Sequence, residues 1–115
     1  DTLKERPFDL VIIDEAAQAL EASCWLPIQL GKRVVLAGDH MQLPPTIKSE
    51  KAAKGLLGIT LFDRVVARFG SSAVRMLNIQ YRMNELIMSW ASHELYEGKL
   101  VAADSVANRR NLDLP

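Results

Sequence analysis

Apolar and polar positions fall into short blocks along the chain. Within Phe8 to Ile13, the run Leu10-Val11-Ile12-Ile13 is uninterrupted and rich in β-branched residues, which predicts a strand buried on both faces. It stops at Asp14-Glu15. Residues 16 to 25 contain neither glycine nor proline and predict at least a partial helix, with Pro27 marking its end. Arg33 to Ala37 reads as a second buried strand and empties into Gly38-Asp39. From Thr60 the pattern is helical: Thr60 is the N-cap and Asp63 holds the capping-box position. Leu61, Phe62, Val65, Val66 and Phe69 form one apolar face, and Gly70 is the stop. Val74 to Ile79 predicts a third strand running into Gln80-Tyr81-Arg82. From Asn84 a further helix carries Ile87, Ala91 and Leu95 on one stripe, flanked by Leu86 and Trp90, and ends near Gly98.

Apolar strands separated by helical segments argue for βαβ units, a parallel sheet and an α/β fold. In such sheets ligands sit beyond the carboxyl ends of the strands. All three predicted strands end in polar clusters, Asp14-Glu15, Asp39 to Gln42 and Gln80-Tyr81-Arg82, so one parallel sheet would turn all three toward one edge.

Composition narrows the class without identifying it. A chain of 115 residues, 49% hydrophobic and 24% charged, is an ordinary globular segment of about one small domain, able to bury roughly two thirds of its unfolded surface. Fourteen basic residues balance fourteen acidic ones, so any grip on nucleic acid must be local. The single cysteine, Cys24, cannot form an internal disulfide, which fits a reducing compartment. No signal peptide is visible, and no apolar run approaches the roughly 20 residues that span a bilayer.

The clusters carry chemistry in distinct ways. Two adjacent carboxylates at a strand end can divide the work, one holding Mg²⁺ and the other orienting or deprotonating an attacking water; acids are also favoured wherever a helix begins. Gln42 is a neutral hydrogen bonder suited to a phosphate oxygen or a water, and Pro44-Pro45 stiffen the backbone past it; the other reading is a Gly38-Asp39 turn with Met41 and Leu43 as core plugs. Tyr81 suits stacking on a base and Arg82 suits a terminal phosphate, unless the two form a surface pair. Cys24, His40 and His93 lack metal-site spacing, and burial is expected for the cysteine and solvent for the histidines. Lys48, Lys51 and Lys54 form a small basic patch, suited to a nucleic-acid backbone or to plain solvation. Trp25 and Trp90 are expected in the core.

The strings DEAAQALEASCWLP at 14 to 27, LAGDHMQLPPT at 36 to 46 and QYRMNELIMSWASHELYEGKL at 80 to 100 change the weight of these readings. Taken in order, they resemble the superfamily 1B helicases of the nonsense-mediated-decay type, and within them the immunoglobulin-mu-binding-protein (Smubp) helicases. The resemblance covers nearly the whole chain. It implies a RecA-like, P-loop NTPase fold, a parallel sheet with flanking helices, present as a partial domain. It further implies ATP and Mg²⁺ as cofactors and an ATP-dependent 5′ to 3′ helicase acting on single-stranded or duplex RNA and DNA. By resemblance DEAAQ is motif II, with Asp14 toward Mg²⁺ and Glu15 as catalytic base, while Gln18 either binds nucleotide or caps a helix. GDHMQLPP is motif III, Gln42 sensing the γ-phosphate and Asp39 coupling nucleotide state to nucleic acid. QYRM is motif IV, Tyr81 stacking on adenine and Arg82 reaching the γ-phosphate across an interdomain cleft. A monomer without membrane contact, resident in nucleus and cytoplasm, fits the same family.

A P-loop needs Gly-x-x-x-x-Gly-Lys-Ser/Thr. Neither Gly31-Lys32, followed by Arg33, nor Gly98-Lys99, followed by Leu100, satisfies it. The chain is therefore expected to be an interior fragment: residues 1–79 the later part of a first RecA-like domain with motifs II and III, residues 80–115 motif IV and the beginning of a second. The competing expectation is a non-catalytic truncated product acting as an interaction module. On either expectation the 115-residue chain alone should release no phosphate from Mg²⁺-ATP above background in a colorimetric assay, and measurable turnover would refute this.

Overall fold

A computed structural model describes residues 7 to 110 and divides into two compact units, the first ending at Val74 and the second beginning at Arg75. In the first, β1 (Val11–Ile13) and β2 (Val34–Leu36) pair in parallel, with Val11 opposite Val34 and Ile13 opposite Leu36. The pairing is prefigured by a bridge from Phe8 to Gly31, where the Phe8 amide donates to the Leu30 carbonyl at 2.7 Å. A Cβ at Gly31 would stand 2.6 Å from Cγ2 of Val11, so only glycine allows this approach. The crossover between the strands is α1 (Glu21–Ile28); after β2 come the short α2 (Glu50–Ala53) and α3 (Leu61–Phe69). Helix α1 packs on β1 and on α3, and Glu21 reaches Arg64 at 2.8 Å.

The partial helix expected within residues 16 to 25 is present from Glu21 on, and its end is corrected by one residue. Residues 14 to 18 form turns because Glu15 takes a left-handed φ of 50° and the Ala16 amide is committed to the Ala37 carbonyl. The helix then begins at Glu21 and runs one residue past Pro27, whose missing N–H falls in the last turn, where the chain already tightens. Helix α3 agrees with its sequence pattern. The Thr60 hydroxyl accepts from the Asp63 amide at 3.0 Å, the Asp63 carboxylate accepts from the Thr60 amide, and Gly70 ends the helix at φ 48°.

The second unit repeats strand, helix, strand: β3 (Ile79–Gln80), α4 (Glu85–Tyr96), β4 (Val101–Ala102), followed by α5 (Asp104–Ala107). β3 pairs with β4 in parallel, Ile79 opposite Val101, and takes no place in the β1–β2 sheet. This corrects the expectation of three strands in one sheet. Of the predicted Val74–Ile79 strand only Ile79 pairs, since β4 offers two residues of ladder. Asn84 caps α4 by accepting from the Leu86 amide at 2.7 Å, and the left-handed Glu97 and Gly98 end it. Exposed Glu97 is hydrogen-bonded by Lys99, which holds its carboxyl below the usual range.

The buried set is small: among the described residues the buried apolar ones are Ala16, Ala17, Cys24, Pro45 and Leu61 in the first unit and Met88 and Val106 in the second. Burial pushes the Cys24 thiol up, and the charge of Glu21 adds to it, so this side chain stays protonated and inert. The strands are not covered on both faces as predicted; Ile12 is 65% exposed, and Val34 and Val35 are also exposed, because a two-stranded sheet with one crossover helix leaves too few neighbours. Neither tryptophan is a core residue, Trp90 being 69% exposed. In α4 the inward residues are Met88 and Ser92, with Ala91 and Leu95 partly covered, whereas Leu86 and Ile87 face outward. On that inward face the Ser92 hydroxyl donates to the Leu100 carbonyl at 2.8 Å. No helix among the described residues is long and apolar enough to cross a membrane.

The capping box makes a local prediction. Thr60→Ala should weaken the first turn of α3 by about 1 kcal/mol. Hydrogen exchange at the Asp63 amide should accelerate roughly fivefold; an unchanged rate would show that the cap does not hold this turn.

Candidate active site

Two turns leave the carboxyl ends of β1 and β2 and are held against each other by backbone. The Ala37 amide donates to the Ile13 carbonyl at 2.9 Å and the Ala16 amide to the Ala37 carbonyl at 2.8 Å, which extends the ladder past both strands. A Cβ at Gly38 would lie 2.9 Å from the Ala17 nitrogen and 3.1 Å from that of Ala16, so a side chain there would push the turns apart. Ala16 and Ala17 fill the buried space beneath, and Asp14, Glu15, Gln18 and Gln42 are left exposed around it.

Within the first turn, Asp14 Oδ1 accepts from the Glu15 amide at 2.9 Å, and Gln18 Nε2 donates to Glu15 Oε2 at 3.2 Å. Gln18 thus caps no helix here; it steadies the Glu15 carboxylate. Glu15 itself sits in the left-handed region, which costs a residue with a side chain of order 1 kcal/mol and is typical of functional turns. In the second turn, partly buried Asp39 accepts from the Met41 amide at 3.0 Å and from Gln42 Nε2 at 2.7 Å. His40 is exposed, its ring 6.0 Å from that of Phe62, and Pro45 is buried while Pro44 is not. Met41 and Leu43 are exposed, which removes the core-plug reading of this loop.

Tyr81 and Arg82 belong to the second unit. Their turn is closed by a neighbouring amide: Gln80 Oε1 accepts from the Arg82 amide at 2.8 Å and the Met83 amide at 2.7 Å, while Nε2 donates to the Met83 carbonyl at 2.6 Å. Tyr81 is 70% exposed, and the Arg82 guanidinium has no hydrogen-bond or ion-pair partner among the described residues. Sequence reasoning passed over Gln80 as a clamp and Gly38 as a spacer. The signal for the first was an amide side chain directly before two presented residues, and for the second a glycine at a strand end.

Two family models match this chain, each described as an AAA domain, over residues 1–50 and residues 57–114, the second alone spanning half of the chain. The chain belongs to the AAA domain family. Similar proteins include the DNA-binding protein SMUBP-2 of Mesocricetus auratus, 52% identical over 113 residues, covering 98% of this chain and 11% of that protein. The DNA polymerase alpha-associated DNA helicase A of Saccharomyces cerevisiae is 49% identical over 115 residues, covering 94% of this chain and 17% of that protein. The DNA replication ATP-dependent helicase/nuclease dna2 of Schizosaccharomyces pombe is 41% identical over 111 residues, covering 96% of this chain and 8% of that protein. The chain thus spans between a twelfth and a sixth of the length of these relatives, and the Smubp-like resemblance of its motifs agrees with the name of the first.

Removing the Gln80 amide should open the Tyr81–Arg82 turn. In the full-length protein, Gln80→Ala is expected to speed tryptic cleavage after Arg82 roughly tenfold, on the order of 1.4 kcal/mol for three lost hydrogen bonds. Equal cleavage rates would show that the turn is held by something else.

Proposed function

We propose that this chain is part of an ATP-dependent helicase, and that its two turns at the ends of β1 and β2 form one wall of the nucleotide site. The supporting observation is the backbone contact between Gly38 and Ala16-Ala17, which sets the Asp14–Gln18 and Asp39–Gln42 turns side by side. In this reading residues 1–79 come from the first RecA-like domain of a superfamily 1B enzyme and residues 80–115 from the second. Relatives named as DNA helicases favour DNA as the polymer, and a nuclear pool follows from that. RNA as a second substrate, 5′ to 3′ travel and action as a monomer come from the motif resemblance.

Both Asp14 and Glu15 offer hard, exposed oxygens, and no group of three metal-ligating side chains exists among the described residues. That donor set suits Mg²⁺ carried with a nucleotide, which takes one or two carboxylates and completes its shell with phosphate and water. Asp14, whose carboxylate is oriented by the Glu15 amide, would hold the ion. The ion would supply neutralisation of phosphate charge. Glu15, steadied by Gln18, accepts a proton from the attacking water. Gln42 is held by Asp39 through its amide nitrogen, which leaves its carbonyl oxygen for water or its neighbourhood for the γ-phosphate. Asp39 therefore acts on nucleotide state through Gln42. Gln18 borders the nucleotide, Tyr81 stacks on adenine, and Arg82 meets the γ-phosphate as an arginine finger.

In the full-length protein Glu15→Gln should lower ATP turnover by at least about 100-fold with nucleotide affinity retained. Arg82→Ala should lower it by about 1,000-fold. Phosphate release near the unsubstituted rate in either variant would remove that residue from the proposed site.

A further inference from the structure

The cations of the first unit fall into two classes. Lys32 pairs with Asp9 at 2.8 Å, Arg33 Nε donates to the Asp9 carbonyl, Arg64 pairs with Glu21 at 2.8 Å, and the Arg68 guanidinium lies 5.7 Å from the Phe69 ring centroid. Only Lys48, Lys51 and Lys54 have no such partner among the described residues of this unit, and all three are exposed. They occur within seven residues, and Glu50, the sole acid between Thr46 and Gly58, is not within ion-pair distance of any of them. Lys51 and Lys54 lie three apart on α2 and its C-cap, so they share one face with Cβ atoms roughly 5–6 Å apart. Lys48 stands just before the Ser49 cap.

This run begins three residues after buried Pro45, at the end of the turn that carries Asp39 and Gln42. In a chain with no net charge, a local concentration of unpaired lysines is where a polyanion gains most, because each phosphate neutralised releases condensed counterions. We infer that Lys48, Lys51 and Lys54 form a phosphodiester-binding segment that contacts the backbone of single-stranded nucleic acid. The inference rests on the helicase reading and adds to it a place where the strand is held, directly downstream of the nucleotide-facing turn. Contact through ammonium groups to phosphates positions the strand without reading its sequence.

The test is a salt titration of a mixed-sequence, fluorescein-labelled single-stranded oligonucleotide, followed by anisotropy, with the full-length protein and a Lys48→Gln, Lys51→Gln, Lys54→Gln variant whose folding is verified by its melting profile. Three lost contacts at about 0.7 each should lower the slope of log affinity against log salt by about 2, and weaken binding at low salt at least tenfold, equally for all base compositions. Replacing the same three residues by arginine should restore the slope. A variant identical to the unsubstituted protein overturns the inference and leaves the helicase reading intact. No binding by the unsubstituted protein overturns both. Loss of binding to phosphatidylserine vesicles with unchanged oligonucleotide binding reassigns the segment to a membrane surface and overturns the inference alone.

Discussion

The closeness of two backbones at Gly38 governs what the first unit can present. Parallel pairing of β1 with β2 ends in side-chain register at Ile13 and Leu36, yet the hydrogen bonding continues to Ala16 and Ala37. This continuation requires a residue without Cβ at 38 and the smallest chiral side chains at 16 and 17. The sequence Asp14-Glu15-Ala16-Ala17-Gln18 then has a physical explanation. Alanines occupy the buried positions where the turns meet, and the polar residues on either side are held outward with nowhere to sink. Glu15 accepts a left-handed backbone as part of the same geometry, because the chain must leave β1 and return its next amide to Ala37.

A second regularity is that Glu15, Gln42 and Arg82 are each fastened by a side chain from their own turn. Gln18 holds Glu15, Asp39 holds Gln42, and Gln80 holds the amides of Arg82 and Met83. Such bonds are worth about 1 kcal/mol each and span three residues or fewer, so they add little to global stability. Their effect is to narrow the rotamers and backbone angles of a few exposed groups. This is preorganisation at short range, and it operates within each unit on its own terms.

Legibility in the sequence followed the range of the determining interaction. The capping box at Thr60 and Asp63, the start of a helix at Asn84 and the glycine stop at 70 are set by neighbours within one turn, and the structure has them where the residues predict. The acids at the ends of the first two strands are equally local. What the sequence concealed depended on distant partners. A continuous apolar run cannot say how many strands or helices will cover it, so Ile12, Val34 and Val35 read as buried and are exposed. The stripe on α4 was misjudged by one position because β4 and α5 rotate Met88 and Ser92 inward. Within the helical pattern of residues 16 to 25, α1 begins only at Glu21 because residues 16 to 18 serve the contact with Ala37 and Gly38.

The same contrast bears on which parts of the molecule keep their shape. Covering an exposed Ile or Val side chain is worth roughly 1.5–3 kcal/mol, so Ile12, Val34, Val35 and the outer face of α4 together represent an amount comparable to the whole net stability of a domain, about 5–15 kcal/mol. The strands therefore depend on apolar cover beyond what the described residues provide. The turns at Asp14–Gln18, Asp39–Gln42 and Gln80–Met83 do not, since their fastening is internal. A chain spanning 11% of one relative and 17% of another can for this reason carry the local form of these turns intact while its strands stay underpacked. The chemistry-bearing groups are specified by neighbours a few residues away, and the scaffold that carries them is specified by the rest of the fold.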